Sequence, residues 1–428
     1  MAINPSAVWR VRPSGASNSN GGGFDPGISG AGTDYSQQSA AQLSGSAGTA
    51  SGTTTFSDAT ATFTSAMVGN CIQIASGSGF TAGFYFVTGY ISAHVVTLDR
   101  TPGTGSAAVW KLGGAWADPY TNTNGGGIAP IVGGNIVYIL GSGIPNPSSY
   151  TYDYSVGGGS GSNAGSATNG CITFANDPNT PNYSTGGMPC IQTNYSFVFG
   201  GGSNYLKFVG LWLVYSSNTS SEGIIINAGS VEGCVVDQFG YDIAGMQLTE
   251  GVALGCEVFS SVGPISTSAS TAITFGYPYA DIIGCNVHDT VGNGVGTTNA
   301  GPRIFESIIA KCRGDGVTMN TSGASSELKN STIDDNTGNG VVWTTQADMA
   351  FGNCLNNIIT NHTQAGKYGQ TCQAGTATQN AALFPINDYN SYYGNTNDTN
   401  ALSYGPHDTH PASASPYVNQ AIENYTLA

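Results

Sequence analysis

Gly284-Cys285-Asn286-Val287 is one of a series of short matching segments that decide how this chain folds. Gly210-Leu211-Trp212-Leu213, Gly233-Cys234-Val235-Val236 and Gly255-Cys256-Glu257-Val258 precede it, and Ser307-Ile308-Ile309, Ser331-Thr332-Ile333 and Asn357-Ile358-Ile359 follow. Their last positions are Leu213, Val236, Val258, Val287, Ile309, Ile333 and Ile359, in steps of 23, 22, 29, 22, 24 and 26 residues. A second series, Gly294-Val295, Gly316-Val317, Gly340-Val341 and Gly366, keeps the same register.

Strands of three to five residues returning at this period, with no helical spacing between them, specify a solenoid of β-strands. Alternation along each strand sends Cys285 and Val287 one way and Asn286 and His288 the other. No coil can bury its apolar face alone, so coils must stack at about 4.8 Å per rung. The reading is an all-β, right-handed parallel β-helix, continuous from about Ile136 to Ile359, with the hand taken from the usual crossover preference. Glycine before Val295, Val317 and Val341 fits corners where the backbone bends sharply between strands, places that tolerate positive φ.

Composition agrees. Gly is 63 of 428 residues, aromatics are 10% and charged residues only 8%, which is too apolar and aromatic for a disordered chain. A formal charge of -15 with ten Lys plus Arg argues against nucleic acid or an anionic membrane as partner. The first 14 residues lack an apolar run and no stretch is long and apolar enough to span a bilayer, so synthesis and retention in the cytosol are expected. Nine cysteines, with no CxxC pair, fit neither a secreted disulfide framework nor zinc. Cys234, Cys256 and Cys285 are expected as reduced thiols inside the coil.

In chain order, residues 1–45 read as an extended arm with one short strand and a one-turn helix over 35–43. Residues 46–118 read as a small β subdomain or cap, 119–385 as the β-helix with Ile136-Val137-Tyr138-Ile139 as first rung, and 386–428 as an irregular coil with a closing strand. A strand is expected over 196–199. The loops 145–168 and 177–189 are the longest irregular excursions and candidate binding surfaces. Tyr150, Tyr152, Tyr154, Tyr389, Tyr392 and Tyr393 are candidates for stacking on sugars or for ordinary packing.

The opening Trp9-Arg10-Val11-Arg12-Pro13-Ser14-Gly15, Asn20-Gly21-Gly22-Gly23-Phe24-Asp25-Pro26-Gly27 and Ala31-Gly32-Thr33-Asp34-Tyr35-Ser36-Gln37-Gln38 resembles the start of β-helix proteins of tailed bacteriophages. Phe63-Thr64-Ser65-Ala66-Met67-Val68-Gly69-Asn70 and Val96-Thr97-Leu98-Asp99-Arg100 continue the likeness over roughly the first 115 residues. The remainder is similar in architecture to the pectate-lyase-like β-helix superfamily, whose members include polysaccharide lyases, hydrolases and phage spikes. The resemblance implies a virion protein and leaves activity open, because fold does not fix function.

The sharpest enzymatic candidates are Asp289, Lys311 and Asp335 in one column, with His288 and Asp334 beside them and Arg313 and Asp315 nearby. Stacked carboxylates serve glycoside hydrolysis, and a carboxylate beside Lys or Arg serves a lyase. Asp and Asn also satisfy turn amides, and alternating charge stabilises neighbouring strands. The polygalacturonase pattern of Asn-Thr-Asp, Asp-Asp and Gly-His-Gly is missing, so no catalytic residue is assigned. His407-Asp408-Thr409-His410 lacks the four ligands of a structural zinc site, and the loop from Asp334 lacks the twelfth-position Glu of a calcium loop. No metal and no cofactor is expected.

The expectation is therefore a structural virion protein without enzymatic activity, a homotrimeric, knob-like decoration held by the major capsid protein or another virion protein. The alternative is a tail spike that binds or cleaves host-surface polysaccharide.

Overall fold

The computed structural model describes residues 4–119, 131–143, 153–156, 165–193, 204–215, 224–226, 228–238, 245–260, 271–276, 280–297, 301–320, 326–344, 352–373, 386–400, 402, 404–409, 417–419 and 424–427. Residues 196–199, Tyr150, Tyr152 and His410 lie outside them. The chain divides into two compact units, residues 1–192 with 199–211, and residues 193–198 with 212–428.

The second unit is a parallel β-helix of three sheets. The first stacks Ala228–Glu232, Gly251–Leu254, Asp281–Ile283, Arg303–Phe305, Ser326–Lys329, Gly352–Leu355 and Ile386–Asp388. The second stacks Trp212–Tyr215, Val235–Gln238, Glu257–Phe259, Asn286–His288, Ile308–Ala310, Thr332–Asp334, Ile358–Thr360 and Ser391–Tyr393. The third runs from Ile224–Ile226 through Met246–Leu248, Thr271–Phe275, Asn293–Thr297, Val317–Asn320, Val341–Thr344 and Gln370–Gln373 to Thr399–Asn400.

The inward column stands as the spacing predicts. Leu213, Val236, Val258, Val287, Ile309, Ile333 and Ile359 are direct partners on successive strands, each at most 1% exposed. Full burial of one such side chain is worth about 1.5–3 kcal/mol. The column continues to Tyr392. Residues 386–400, expected as irregular coil, instead add a strand to each of the three sheets. Tyr417–Asn419 and Asn424–Leu427 close as an antiparallel pair.

Two readings of glycine are corrected. Val295, Val317 and Val341 do share a column, but it continues at Gln370, so Gly369 and not Gly366 is the next equivalent. Gly294, Gly316 and Gly340 are absent from the positive-φ positions. They are glycine because a Cβ would meet backbone or core atoms at 2.4–2.7 Å, as at Gly340 against the Gly369 carbonyl. The left-handed corners fall instead at Gly233, Gly255 and Gly284, and at Asp289, Lys311 and Asp335.

Between the first and second sheets a buried side-chain ladder satisfies amides that have no strand partner. Cys285 Sγ accepts from the Cys256 N–H at 3.4 Å, Ser307 Oγ from Cys285 at 3.2 Å and Ser331 Oγ from Ser307 at 3.2 Å. Asn357 Oδ1 then accepts from Ser331 and Asn390 Oδ1 from Asn357, both at 3.0 Å, and Asp408 Oδ1 from Asn390 at 2.7 Å. All nine cysteines are free, and Cys234, Cys256 and Cys285 are buried.

The first unit corrects the expected arm. Val8–Val11 pairs in parallel with Ile136–Ile139, which pairs with Ile172–Asn176 and this in turn with Asn204–Val209. The rung below Ile136 is thus supplied by the N-terminus. Trp9 is fully buried, stacked on Trp116 at 4.8 Å and edge-on to Phe84 and Phe86, with its Nε1–H donating to Asn135 Oδ1 at 3.1 Å. Arg10 pairs with the buried Asp177 at 2.9 Å and lies over the Tyr138 ring. The expected one-turn helix is the single 3-10 turn Tyr35–Gln37. Between these strands a closed antiparallel barrel runs from Leu43–Ser51 to Gly103–Leu112, filled by Trp110, Phe63, Phe56 and Ile72.

Candidate functional site

On the outer face of the second sheet, alternation turns Glu257 and Phe259 outward on one strand and His288 outward on the next. The His288 ring stacks on Phe259, centroids 5.4 Å apart and nearly coplanar in tilt at 6°. Its Nε2–H donates to Glu257 Oε1 at 3.1 Å and its Nδ1–H to Asp289 Oδ2 at 2.8 Å. Burial alone would depress this imidazole. The hydrogen bonds to Asp289 and Glu257 outweigh that effect and raise it to about 9, so His288 is a cation at neutral pH. The same His288 contact holds the Asp289 carboxyl below its ordinary range, with Lys311 adding to the effect.

Both carboxylates are about half exposed, the Glu257 side chain at 45% and that of Asp289 at 50%. Each spends one oxygen on His288, and neither has a further hydrogen-bond partner among the described residues. A pair of carboxylate acceptors, fixed by a shared cation and backed by an aromatic ring, is built to take hydrogen bonds from hydroxyl or amino groups.

Asp289, Lys311 and Asp335 do come together, one per rung, with φ of 49°, 53° and 47°, followed by Asn361 at 62°. Their amides bond to the carbonyls of Ala310, Asp334 and Thr360 on successive strands. Asp and Asn tolerate this conformation, whereas Lys311 adopts it at a cost of order 1–2 kcal/mol. Burial, then the neighbouring Asp334 charge, raises the Asp335 carboxyl, with Lys311 opposing.

Asp334 is not available to a ligand: it is 1% exposed and its Oδ1 accepts from Thr360 Oγ1 at 2.6 Å and Asn361 Nδ2 at 2.7 Å. Asp315 belongs to another corner, where its Oδ1 accepts from the Asn339 N–H at 2.7 Å. Arg313 is exposed. The His407-Asp408 segment is divided in its contacts, Asp408 capping Asn390 and Gly405 while His407 Nδ1–H donates to Asp388 at 2.8 Å. Among the described residues no group of His, Cys, Asp and Glu is placed to hold a metal ion, and no helix is long and apolar enough to cross a membrane.

Sequence reasoning missed Glu257 and Phe259. The signal was present, since setting Val258 opposite Val287 puts Glu257 beside Asn286 and Phe259 beside His288.

The sequence matches no described protein family and no curated protein. Among solved structures, the pectate lyase Pel9A is similar at 11% identity and a TM-score of 0.35, over 68% of this chain and 76% of that one. The Gp54 tailspike of Acinetobacter baumannii bacteriophage AP22, solved with a capsular saccharide of its host species, is similar at 8% identity and a TM-score of 0.26, over 86% of this chain and 63% of that one. The fold assignment rests on the strand register above.

Proposed function

We propose that this protein is a tail-spike-type virion component that binds host-surface polysaccharide on the outer face of its second sheet. The observation that carries the reading is the Glu257–His288–Asp289 triad seated on Phe259. A decoration that only cements a capsid has no use for two half-exposed carboxylates fixed by one half-buried imidazolium. The resemblance of the N-terminal region to phage β-helix proteins supports the virion setting, and a side-by-side homotrimer is the assembly we assign to it. The ligand is a polysaccharide rich in hydroxyl or amino groups, since a chain of -15 formal charge repels polyanions.

The test is calorimetric titration with purified capsular and O-antigen polysaccharides from candidate hosts. The wild type should bind one of them, and His288→Ala should bind it at least roughly tenfold more weakly, the size of one or two charge-assisted hydrogen bonds. Undiminished binding by that variant would remove the site from the account.

Binding without cleavage is the primary reading, because Asp289 and Glu257 each spend an oxygen on His288 and hold that ring in place. One observation favours hydrolysis as a second reading: Asp335 is raised and Asp289 lowered, the split expected of an acid and a base. They stand two rungs apart, a backbone spacing of about 9.6 Å along the sheet, just beyond the roughly 6.5–9.5 Å carboxyl separation of inverting glycosidases. Release of new reducing ends that stops in Asp335→Asn would establish it.

A further inference from the structure

The corner between the first and second sheets is left-handed on every rung from Gly233 to Tyr389. Gly233, Gly255 and Gly284 occupy it first, with φ of 55°, 59° and 61°. Glu306, Asn330, Asn356 and Tyr389 occupy it next, with φ of 54°, 53°, 57° and 60°. They are equivalent positions: the amides of Gly284, Glu306, Asn330 and Asn356 bond to the strand ends one rung on, at Phe305, Lys329, Leu355 and Asp388, and Tyr389 follows Asp388, the partner of Leu355, as Asn356 follows Leu355. Nothing lies within 4 Å of where a Cβ would sit at Gly233, Gly255 or Gly284, so side chains at this corner project away from the protein.

Glycine satisfies the corner at no conformational cost, and asparagine nearly so. Glutamate and above all tyrosine do not, a bulky residue in this region being a true outlier. Strain of this kind persists where the side chain serves something beyond the fold. Glu306, Asn330 and Asn356 are exposed, and Tyr389 is 58% exposed. Asn356 Nδ2 donates to Asn330 Oδ1 at 2.9 Å, aligning the two amides along the axis. One face of the Tyr389 ring is covered by His407, at 4.5 Å and 7°, and Asp388 fixes that imidazole through Nδ1 at 2.8 Å while accepting the Tyr389 N–H at 2.9 Å.

We infer that this corner is a second saccharide-binding strip, on which an uncharged oligosaccharide lies along the solenoid axis with one ring stacked on Tyr389. The pieces suit that ligand class. A braced aromatic offers a flat apolar face to a pyranose. Two amides and a carboxylate at successive rungs offer donors and acceptors at about 4.8 Å intervals, close to the length of one sugar residue. Glu306 and Asp388 make the strip unfavourable for uronates and other anionic sugars. The inference shares the carbohydrate theme of the proposed function but rests on different residues, and it stands or falls without the Glu257–His288–Asp289 face.

The experiment titrates the full chain with malto-, cello- and N-acetylchito-oligosaccharides of increasing length, with oligogalacturonates as the anionic comparison. Tyr389→Gly is the informative variant, because it relieves the strained backbone while removing the ring. The expected result is binding of at least one neutral series that tightens with length, is roughly tenfold weaker in Tyr389→Gly with the thermal midpoint unchanged or higher, and persists in Tyr389→Phe and in His288→Ala. Preference for oligogalacturonates, wild-type affinity in Tyr389→Gly, loss of binding in His288→Ala with Tyr389→Gly unaffected, or no binding of any neutral series would overturn it.

Discussion

His288 on one strand donates to Glu257 on the strand before it at 3.1 Å while its ring lies flat on Phe259 of that same strand. Two residues 31 apart in sequence thereby share a proton's worth of charge on an outward face, a placement that only the stacking of coils produces.

The first prediction concerns that charge. With His288 raised to about 9 and an ordinary value near 6.5, its ion pairs stabilise the fold fully below about pH 6.5 and lose this contribution as pH rises through 9. Glu257→Gln removes one acceptor, so the His288 titration followed by NMR should move down toward its ordinary value. A midpoint unchanged by the substitution would show that Glu257 does not hold the imidazolium.

His362 is predicted to act in the opposite direction. It is fully buried, with Asn336 Nδ2 donating to its Nε2 at 3.3 Å and its Nδ1–H donating to Asn395 Oδ1 at 2.9 Å. Burial depresses it to about 4. The unfolded chain therefore binds the extra proton first, and stability is full above about pH 6.5 and declines as pH falls toward and through 4. Urea midpoints measured between pH 7 and about 4 should show this decline, and a His362→Asn variant should flatten it.

Val287→Asp would bury an unpaired carboxylate in the stacked column and should cost several kcal/mol in denaturant unfolding. Asn286→Asp, one residue away on the outer face, should stay within about 0.5 kcal/mol. Equal costs at the two positions would contradict the alternation.

Trp9→Ala should destabilise the first unit by about 3–5 kcal/mol, the cost of emptying a large aromatic site. Deleting residues 2–45 should leave that unit insoluble or molten, because the deletion removes the strand Val8–Val11 and the start of the barrel at Leu43. A soluble, cooperatively folding truncation would restore the view of this segment as a detachable arm.

Much of the β-helix could be read from residues because two periods address each side chain: alternation gives inside or outside, and the repeat gives the rung. That is why Val236 through Ile359 fall in register without adjustment. The N-terminal strand was not legible as a rung, since Val8 and Ile136 pair across an intervening barrel and no local pattern announces it. Glycine was read for its conformational freedom when Gly294, Gly316 and Gly340 are instead demanded by close approach, a distinction that depends on neighbours from other coils. At the site, the column of Asp289, Lys311 and Asp335 was visible, while Glu257 required the 29-residue step between Val258 and Val287 to be taken at face value as one rung with a longer loop.

The central claim is that polysaccharide binds at Glu257, His288 and Asp289. The most direct measurement is a crystal structure of the full chain soaked with oligosaccharide prepared from the polysaccharide it binds. The account predicts sugar density with hydroxyl or amino groups within hydrogen-bonding distance of the free oxygens of Glu257 and Asp289. Density confined to other parts of the surface, with this face bare, would contradict it.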